Sequence, residues 1–311
     1  MVEHRYFTLD VFTDRIFGGN PLAVFPDGSG LDDAQMQAVA RELNLSETVF
    51  VLPPDDPTRT RRLRIFTPAT ELPFAGHPTI GTAHLLAAIG DVPLVDQNAT
   101  IVFEEGVGPV SVTVSSERGQ PVKAQLSIEK LPVFGSKVPS RAELAEMLSL
   151  NIDDLAESPA PAAVSAGVPF VFVMLNSLDA LARARLHLEV WGRLLERAWA
   201  PHLYLVAPAG TDCTELRARM FAPAMGIDED PATGAAAAAL AGFLAPTAAY
   251  SETTLQIVVH QGVEMGRPSR IEVEADLSGG DVSGLRVAGR SVLVTRGRMS
   301  IPQLPNTIAA A

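Results

Sequence analysis

The sequence predicts an α+β fold built from two similar lobes, because strand-like and helix-like patterns follow in the same order in both halves. Two short sequence phrases also occur twice in the chain. "RIFTPA" at 64–69 recurs as "RMFAPA" at 219–224, 219 − 64 = 155 residues later, and "HPTIGTA" from His77 recurs as "DPATGAA" from Asp230, 230 − 77 = 153 residues later. Two shorter matches keep the same order, namely "VFVLP" with "YLVAP" and "GNPLAV" with "GVPFVF". Four matches in one order indicate an internal duplication.

The first lobe alternates between strand and helix patterns. "YFTLDVFT" and "PLAVF" predict strands, and "LDDAQMQAVARELNL" predicts a helix because apolar residues recur at helical spacing after an acidic start. "ETVFVL" and "RLRIFTP" predict further strands. A second helix is expected to begin at His77-Pro78, ahead of the strands "ATIVFEE" and "GPVSVTV". The acidic pairs Asp55-Asp56 and Glu104-Glu105 are interpreted as solvated turn charges.

The second lobe repeats this order. "SLDALARARLHLEVWGRLLERA" is interpreted as one exposed amphipathic helix, and "AAAAALAGFLA" as a buried central helix with small residues on all sides. Alternating strands, among them "LQIVVH" and "SVLVTRG", close the lobe. We therefore predict an N-terminal lobe at residues 1–125 and a C-terminal lobe at 126–311, and leave open whether the last strands cross back to the first lobe.

Charge and cysteine content limit the function classes. The formal net charge of −12 repels phosphate backbones and anionic lipid, so neither nucleic acid nor a membrane is an expected partner. The single cysteine, Cys213, allows no intrachain disulfide, which favours a reducing compartment. The longest apolar run, 235–246, falls short of the ~20 residues that cross a bilayer. Charges from the third residue onwards are unlike a signal peptide, so we expect a cytoplasmic protein.

The repeated phrase suits an anion site. Proline is favoured at the first position of a helix, which makes His77 and Asp230 the expected N-caps. Helix N-termini offer free N–H groups and partial positive charge, and Gly81 and Gly234 would let another group approach closely. Two such helix starts, meeting in one cleft, could hold a small carboxylate-bearing substrate. The alternative is that both residues only cap their helices, worth about 1 kcal/mol each.

Four longer stretches resemble the PhzF-like phenazine-biosynthesis family. They are "DVFTDRIFGGNPLAVF", "NLSETVFVLPP", "RIFTPATELPFAGHPTIGTAH" and "RMFAPAMGIDEDPATGAAAAAL", and they span nearly the full chain. The resemblance implies the diaminopimelate-epimerase-like fold, with two pseudo-symmetric lobes that each wrap a mixed sheet around a central helix. It also implies an active site between the lobes, no cofactor, no metal and a homodimer.

The same resemblance implies the site residues. In the branch that isomerises trans-2,3-dihydro-3-hydroxyanthranilate, a glutamate shuttles a proton between ring carbons, aided by a histidine and an aspartate. These match Glu47, His77 and Asp230. The substrate-binding glycines of the motifs match Gly76 and Gly234. The phenazine enzymes resemble "DPATGS", whereas this chain has Ala235, which removes one hydrogen bond worth about 0.5–1.5 kcal/mol and indicates a different substrate.

Three functions remain open at this stage. The leading one is a cofactor-independent isomerase that shifts a proton through Glu47. The second is a non-catalytic binding protein for a small carboxylate. The third is an epimerase of the same fold with an unusual base pair, since the usual pair of cysteines cannot be built from Cys213 alone. His84, seven residues after His77, is interpreted as a packed or capping side chain.

Overall fold

The computed structural model describes residues 2–135, 137–210, 214–247 and 253–303. The chain forms two compact units. Unit 1 comprises residues 1–126 together with 289–311, and unit 2 comprises residues 127–288. The sequence-based boundary at 125/126 lies one residue from this division. The sequence left open whether the C-terminal strands belong to the second lobe or cross back to the first. The last strand crosses back to unit 1. Cys213 lies outside the described residues.

The described residues of unit 1 form a mixed sheet and two helices. Its strands are β1 (Val2–Val11), β2 (Asn20–Phe25), β3 (Glu47–Leu52), β4 (Arg61–Phe66), β5 (Glu71–Leu72), β6 (Asn98–Glu105), β7 (Gly108–Glu117), β8 (Gln120–Ser127, whose last residue falls in unit 2) and β18 (Ser291–Ile301). Its helices are α1 (Asp33–Leu43) and α2 (Gly76–Ala88).

The strands of unit 1 form both parallel and antiparallel pairs. Strand β18 pairs antiparallel with β1, and β1 antiparallel with β2. Strand β2 runs parallel to β3, which is antiparallel to β4. Strand β4 pairs antiparallel with β5 and parallel with β6, and β6, β7 and β8 form an antiparallel meander.

Helix α2 is the central helix of unit 1. Every residue from 77 to 87 is buried, and the helix packs against β1, β2, β3 and β7. A helix that is buried on all sides needs mostly apolar or small residues around its circumference, and this one adds two buried histidines, His77 and His84. Helix α1 packs on β3 and β4, where a cluster including Phe25, Phe50 and Phe66 excludes water.

Unit 2 contains the remaining elements. Its strands are β9 (Val133–Phe134), β10 (Ala162–Ser165), β11 (Pro169–Met174), β12 (His202–Pro208), β13 (Glu215–Ala222), β14 (Ile227–Asp230), β15 (Thr254–Gln261), β16 (Ser269–Ser278) and β17 (Asp281–Gly289, whose last residue falls in unit 1). Its helices are α3 (Arg141–Leu148), α4 (Leu178–Arg183), α5 (Leu188–Leu194) and α6 (Gly234–Leu244).

The pairing order of unit 2 repeats that of unit 1. Strands β9, β10 and β11 are antiparallel neighbours, β11 runs parallel to β12, and β12 is antiparallel to β13. Strand β13 then pairs antiparallel with β14 and parallel with β15, followed by the meander β15, β16 and β17. Helix α6 is buried like α2 and packs against β10, β11, β15 and β16. The succession of parallel and antiparallel pairs supports the duplication seen in the sequence.

The repeated arginines make the same contacts in each unit. Arg64 binds Glu71 through two hydrogen bonds and stacks over the ring of Phe66. Arg219 likewise binds Glu229 through two hydrogen bonds and stacks over Phe221. The repeated sequence phrases therefore make the same side-chain contacts in both units. An arginine can do this because its guanidinium group binds a carboxylate and also stacks on an aromatic ring.

The prediction of one exposed helix over 177–198 is wrong. The chain forms two short helices, α4 and α5, separated at Ala184, whose backbone leaves the helical region. The buried Arg219 explains the break, because its Nη1 donates to the carbonyl oxygens of Leu181 and Ala184 at 3.0 and 2.8 Å. A cation at these carbonyls favours a helix end there.

Within the described part of the chain, no helix combines the length and apolar character needed to cross a membrane.

Candidate functional site

Glu47 is the first residue of β3. Helix α1 ends at Asn44, whose left-handed backbone (φ 49°) is tolerated by asparagine and turns the chain out of the helix. The strand then starts opposite Leu22 of the parallel strand β2. Side chains alternate across a strand, so Glu47 and Phe50 face opposite sides. Phe50 packs in the cluster with α1, which places Glu47 on the side of α2.

His77 lies within the first turn of α2 and is 7% exposed. The prediction that it caps this helix is wrong. The N-cap is Ala75, whose extended backbone precedes the helix and whose carbonyl accepts from the N–H of Thr79. Pro78 is accordingly the third helical residue. Since His77 is not occupied in capping, its imidazole is available for contacts outside the helix.

Glu47 and His77 come together. The Oε2 atom of Glu47 is 3.0 Å from Nε2 of His77, and the two side chains are 15% and 8% exposed. The distance is that of an ion pair, but the angles do not make it a hydrogen bond, so among the described residues both atoms are buried without a hydrogen-bond partner. Burying such atoms costs about 1–3 kcal/mol each, and exceptions of this kind in folded proteins call for an explanation.

Asp230 is the last residue of β14, where it pairs with Met220, and it lies in unit 2. The prediction that it caps α6 is wrong, because the N-cap is Thr233 and the helix starts at Gly234. The reason is that the intervening residues are held in place from outside the helix. Gln261 Nε2 donates to the carbonyl oxygen of Asp230 at 2.8 Å, and its Oε1 accepts from the N–H of Thr233 at 3.2 Å.

The side chains around Asp230 form a closed network. Thr233 Oγ1 donates to Oδ2 of Asp230 at 2.5 Å and accepts from Nε2 of Gln261 at 2.9 Å. Gln261 Oε1 also accepts from the hydroxyl of Tyr204 at 3.0 Å. Burial, together with the charge of Asp230, raises the pKa of Tyr204 far above its ordinary value, so the phenol stays a donor. The network fixes the Asp230 carboxylate in one orientation.

The glycines of the repeated phrases differ in their surroundings. A Cβ on Gly81 would lie 2.6 Å from both Leu22 Cδ2 and Val11 Cγ2. What approaches Gly81 is therefore the sheet of its own unit. A Cβ on Gly76 would meet only Leu126 Cδ2, at 3.9 Å. Gly234 and Ala235 are the first residues of α6, the glycine buried and the alanine half-buried.

Glu105 is a buried acid, so the prediction that it is a solvated turn charge is wrong. It is 7% exposed at the end of β6, and Thr79 Oγ1 lies 2.7 Å from its Oε1. The signal was present in "NATIVFEE", where Ala99, Ile101 and Phe103 face the core and Glu105 is next in phase. Burial raises its pKa to about 8, against an ordinary value of 4.5, and the Thr79 contact offsets this in part.

Two further features of the structure bear on ligand binding. Among the described residues, no three His, Cys, Asp or Glu side chains come together as a metal-ligand set. A cavity of about 570 Å³ in unit 1 is lined by Arg5, Arg296, Arg298 and neighbouring residues, none of which belongs to the predicted site. The contact of Glu47 with His77 therefore remains the chemically most informative feature of unit 1.

Comparison with known proteins identifies the family. The profile described as phenazine biosynthesis-like protein, PhzC-PhzF, matches residues 9–297. The chain belongs to the PhzC-PhzF family. An uncharacterised isomerase of Mesorhizobium japonicum is 41% identical over 97% of this chain and 100% of its own length. The trans-2,3-dihydro-3-hydroxyanthranilate isomerase of Pseudomonas aeruginosa is 38% identical over 95% of this chain and 99% of its own length.

Solved structures agree with this family. A PhzF-family phenazine biosynthesis protein of Bacillus anthracis superposes with a TM-score of 0.85 at 25% identity, covering 97% of this chain and 100% of the other. A hydroxyproline epimerase of Agrobacterium vitis has a TM-score of 0.63 at 11% identity, covering 96% and 91%, and shares the fold alone. The predicted family, the epimerase-like α+β fold and the coarse prediction of an isomerase are confirmed.

Proposed function

We propose that this member of the PhzC-PhzF family is a cofactor-independent isomerase that shifts a proton within a small carboxylate-bearing substrate, with Glu47 as the proton carrier. The observation that supports this most directly is the buried contact of Glu47 Oε2 with His77 Nε2. Two groups that exchange protons, held 3.0 Å apart and not engaged in hydrogen bonds, suit acid–base chemistry.

The proposed reaction balances without any other reagent. The Glu47 carboxylate takes a proton from one substrate carbon, and the electron pair of that C–H bond becomes a new double bond. The original double bond opens towards another carbon, which receives a proton from the Glu47 carboxylic acid, whose O–H hydrogen can exchange with solvent before it is transferred. One C–H bond breaks and one forms, so the product is an isomer. Glu47 ends the cycle as the carboxylate.

We assign His77 the role of supporting this transfer. An imidazole can donate to a carboxylate or to a substrate oxygen, and its second ring nitrogen can accept. Its place in the first turn of α2, beside Gly76, would let a substrate carboxylate meet helix N–H groups and the imidazole together. This arrangement would stabilise negative charge that develops when the carbon loses its proton.

Asp230 is proposed as a further participant in the reaction. The support is its place in the "DPATG" motif and its fixed carboxylate orientation in the network with Thr233 and Gln261. Gly234 and Ala235 are proposed to contact the substrate. Because Ala235 cannot supply a hydroxyl, we expect the preferred substrate to differ from the one named for the Pseudomonas aeruginosa relative.

The test is hydrogen exchange. Wild type and Glu47→Gln are incubated in D₂O with trans-2,3-dihydro-3-hydroxyanthranilate and with a panel of small unsaturated carboxylates, and deuterium incorporation is followed by NMR. The wild type is expected to exchange and isomerise at least one of these probes. Glu47→Gln should lose the exchange by about 10³-fold or more while keeping its thermal unfolding midpoint, because an amide cannot carry the proton.

Glu42→Gln is the matched control, because Glu42 is an exposed glutamate on α1. It should exchange like the wild type. Full exchange in Glu47→Gln would remove Glu47 as the proton carrier. Binding of a carboxylate without exchange of any probe by the wild type would instead support the non-catalytic alternative.

A further inference from the structure

The contacts of the buried Glu105 carboxyl indicate its protonation state. Thr79 Oγ1 lies 2.7 Å from Oε1 of Glu105 and 2.8 Å from the carbonyl oxygen of Ala75. A threonine hydroxyl has one proton and can donate to only one of these acceptors. If Glu105 carries a proton, it donates to Thr79, and Thr79 donates to Ala75. A neutral acid therefore provides a proton for both of these contacts, whereas a carboxylate leaves one of the two close oxygen–oxygen contacts without a proton.

The second oxygen of Glu105 supports the neutral form. Among the described residues, Oε2 is buried and has no hydrogen-bond partner. Burying an ionised carboxylate oxygen without a partner costs far more than burying the carbonyl oxygen of a neutral acid. Among the described residues, burial raises the pKa of Glu105 and the hydrogen bond with Thr79 lowers it, and no charged side chain contributes to the shift.

Unit 2 contains a corresponding arrangement in which the buried side chain is uncharged. Strands β6 and β15 both have eight residues and the same alternation of exposed and buried positions, and they end at Glu105 and Gln261. Gln261 Nε2 donates to Thr233 Oγ1, which donates onwards to Asp230, just as protonated Glu105 would donate to Thr79 and thence to Ala75. The matched position in unit 2 is thus an amide, which can never ionise.

We propose that Glu105 is a positioning residue that, as a neutral carboxylic acid, fixes the first turn of α2 and thereby holds His77 against Glu47. The chain of contacts runs from Glu105 through Thr79 to the carbonyl of Ala75, the N-cap of this helix. The turn after β6 also braces the approach to the helix, because a Cβ on Gly106 would lie 2.8 Å from Pro73 Cα. The effect of Glu105 on catalysis rests on the proposed function, whereas the protonation state of Glu105 is independent of it.

The surroundings of Glu105 give the pH dependence a definite sign. Glu104, next on the strand, faces away towards Arg62, and His77 and His84 on α2 form no hydrogen bond or ion pair with Glu105. The pKa of Glu105 is about 8 in the fold and 4.5 ordinarily. Between these values the unfolded chain releases a proton that the folded chain keeps. Rising pH therefore favours unfolding through this window.

The first test needs no substrate. Denaturant unfolding of wild type, Glu105→Gln and the control Glu104→Gln is measured from pH 6 to 9. Relative to Glu105→Gln, the folding equilibrium constant of the wild type should fall about tenfold per pH unit up to about pH 8 and then level off. Glu104→Gln should parallel the wild type. If wild type and Glu105→Gln show the same pH dependence, Glu105 is ionised in the fold and the proposal is overturned.

The second test uses hydrogen exchange with trans-2,3-dihydro-3-hydroxyanthranilate, or with whichever carboxylate probe the wild type accepts. Glu105→Gln should keep most of the exchange rate at pH 7 and exceed the wild type above pH 8. Glu105→Leu, which has no donor, should lose kcat by about tenfold or more with a smaller change in KM, since a displaced catalytic group slows the chemistry.

The outcomes separate the two proposals. Loss of exchange in Glu105→Gln as complete as in Glu47→Gln would make Glu105 a proton carrier and overturn its positioning role. Equal rates for wild type, Glu105→Gln and Glu105→Leu at all pH values would overturn it as well. If the unfolding data show a neutral Glu105 but the wild type exchanges no probe, the proposed function fails, and the assignment of the protonation state stands.

Discussion

Arg219 binds Glu229 with two parallel hydrogen bonds, from Nε and Nη2 to the two carboxylate oxygens, each 2.8 Å long. The side chains are 6% and 14% exposed, so water screens the pair little. The pair joins β13 to β14, the strand that ends at Asp230. Since Arg219 also holds the end of α4, one guanidinium fixes three segments of unit 2.

Removing one partner of this pair should be costly. Glu229→Ala leaves the Arg219 cation buried without its carboxylate, and the free energy of unfolding is expected to fall by about 3–5 kcal/mol. The control is Glu146→Gln, which breaks the exposed contact with Arg193 and should change stability by less than about 1 kcal/mol. Urea unfolding measures both. Equal effects of the two variants would show that burial of the Arg219–Glu229 pair is unimportant.

Gly76 and Gly81, the two glycines of α2, should respond differently to alanine. Gly81→Ala forces a methyl group to 2.6 Å from Leu22 and Val11, and such overpacking typically costs about 1–3 kcal/mol. Gly76→Ala meets nothing closer than 3.9 Å, and its stability should stay within about 0.5 kcal/mol of the wild type. If a substrate approaches Gly76 as proposed, the same variant should raise KM in the exchange assay.

Gly192→Ala controls for the effect of alanine in a helix, because a Cβ there has open space around it. Thermal unfolding of the three variants decides the matter. A Gly81→Ala variant as stable as Gly192→Ala would mean that β1 and β2 can retreat from the helix.

Acid should destabilise the fold through His84. Burial lowers the pKa of His84 to about 4 from 6.5. As pH falls from 6.5 to 4, the unfolded chain binds a proton that the folded chain does not, so stability falls in this window. A tenfold change in proton affinity is worth about 1.4 kcal/mol, so the loss reaches about 3 kcal/mol. His84→Leu should show a shallower decline than the wild type in denaturant titrations at each pH.

His187→Gln serves as the control, since His187 is exposed. Its acid decline should match that of the wild type. Part of the decline should persist in His84→Leu, because burial also lowers the pKa of His202 to about 4. An unchanged acid profile in His84→Leu would show that His84 is solvated or protonated in the fold.

The duplicated fold could be predicted because its evidence is local and repeated. The apolar run in "ETVFVL" and the phrase around Arg64 form the neighbouring strands β3 and β4, as predicted from the sequence. The helix over 177–198 could not be predicted correctly. Its break depends on Arg219, which is distant in sequence and donates to carbonyls at 181 and 184.

The candidate site was predicted in part. The family motifs predicted Glu47 and His77 as site residues, and their side chains are in contact in the structure. The helix starts were misplaced because Pro78 and Pro231 were given the first helical position, whereas contacts made by Thr79 and Gln261 decide where the helices begin. Glu105 was missed because adjacent acids suggest solvent. The alternation in β6, set beside the matching strand β15, would have identified it as buried.

The return of β18 to unit 1 bears on how the chain is made. Strand β1 pairs with β2 on one side and with β18 on the other, so Val2 finds its partner Ile301 only after the ribosome has made all of unit 2. Until then β1 presents an open edge, which is a template for mispairing with other nascent chains. Unit 2 is one continuous segment of the chain, whereas the sheet of unit 1 can be completed only after β18 has been synthesised.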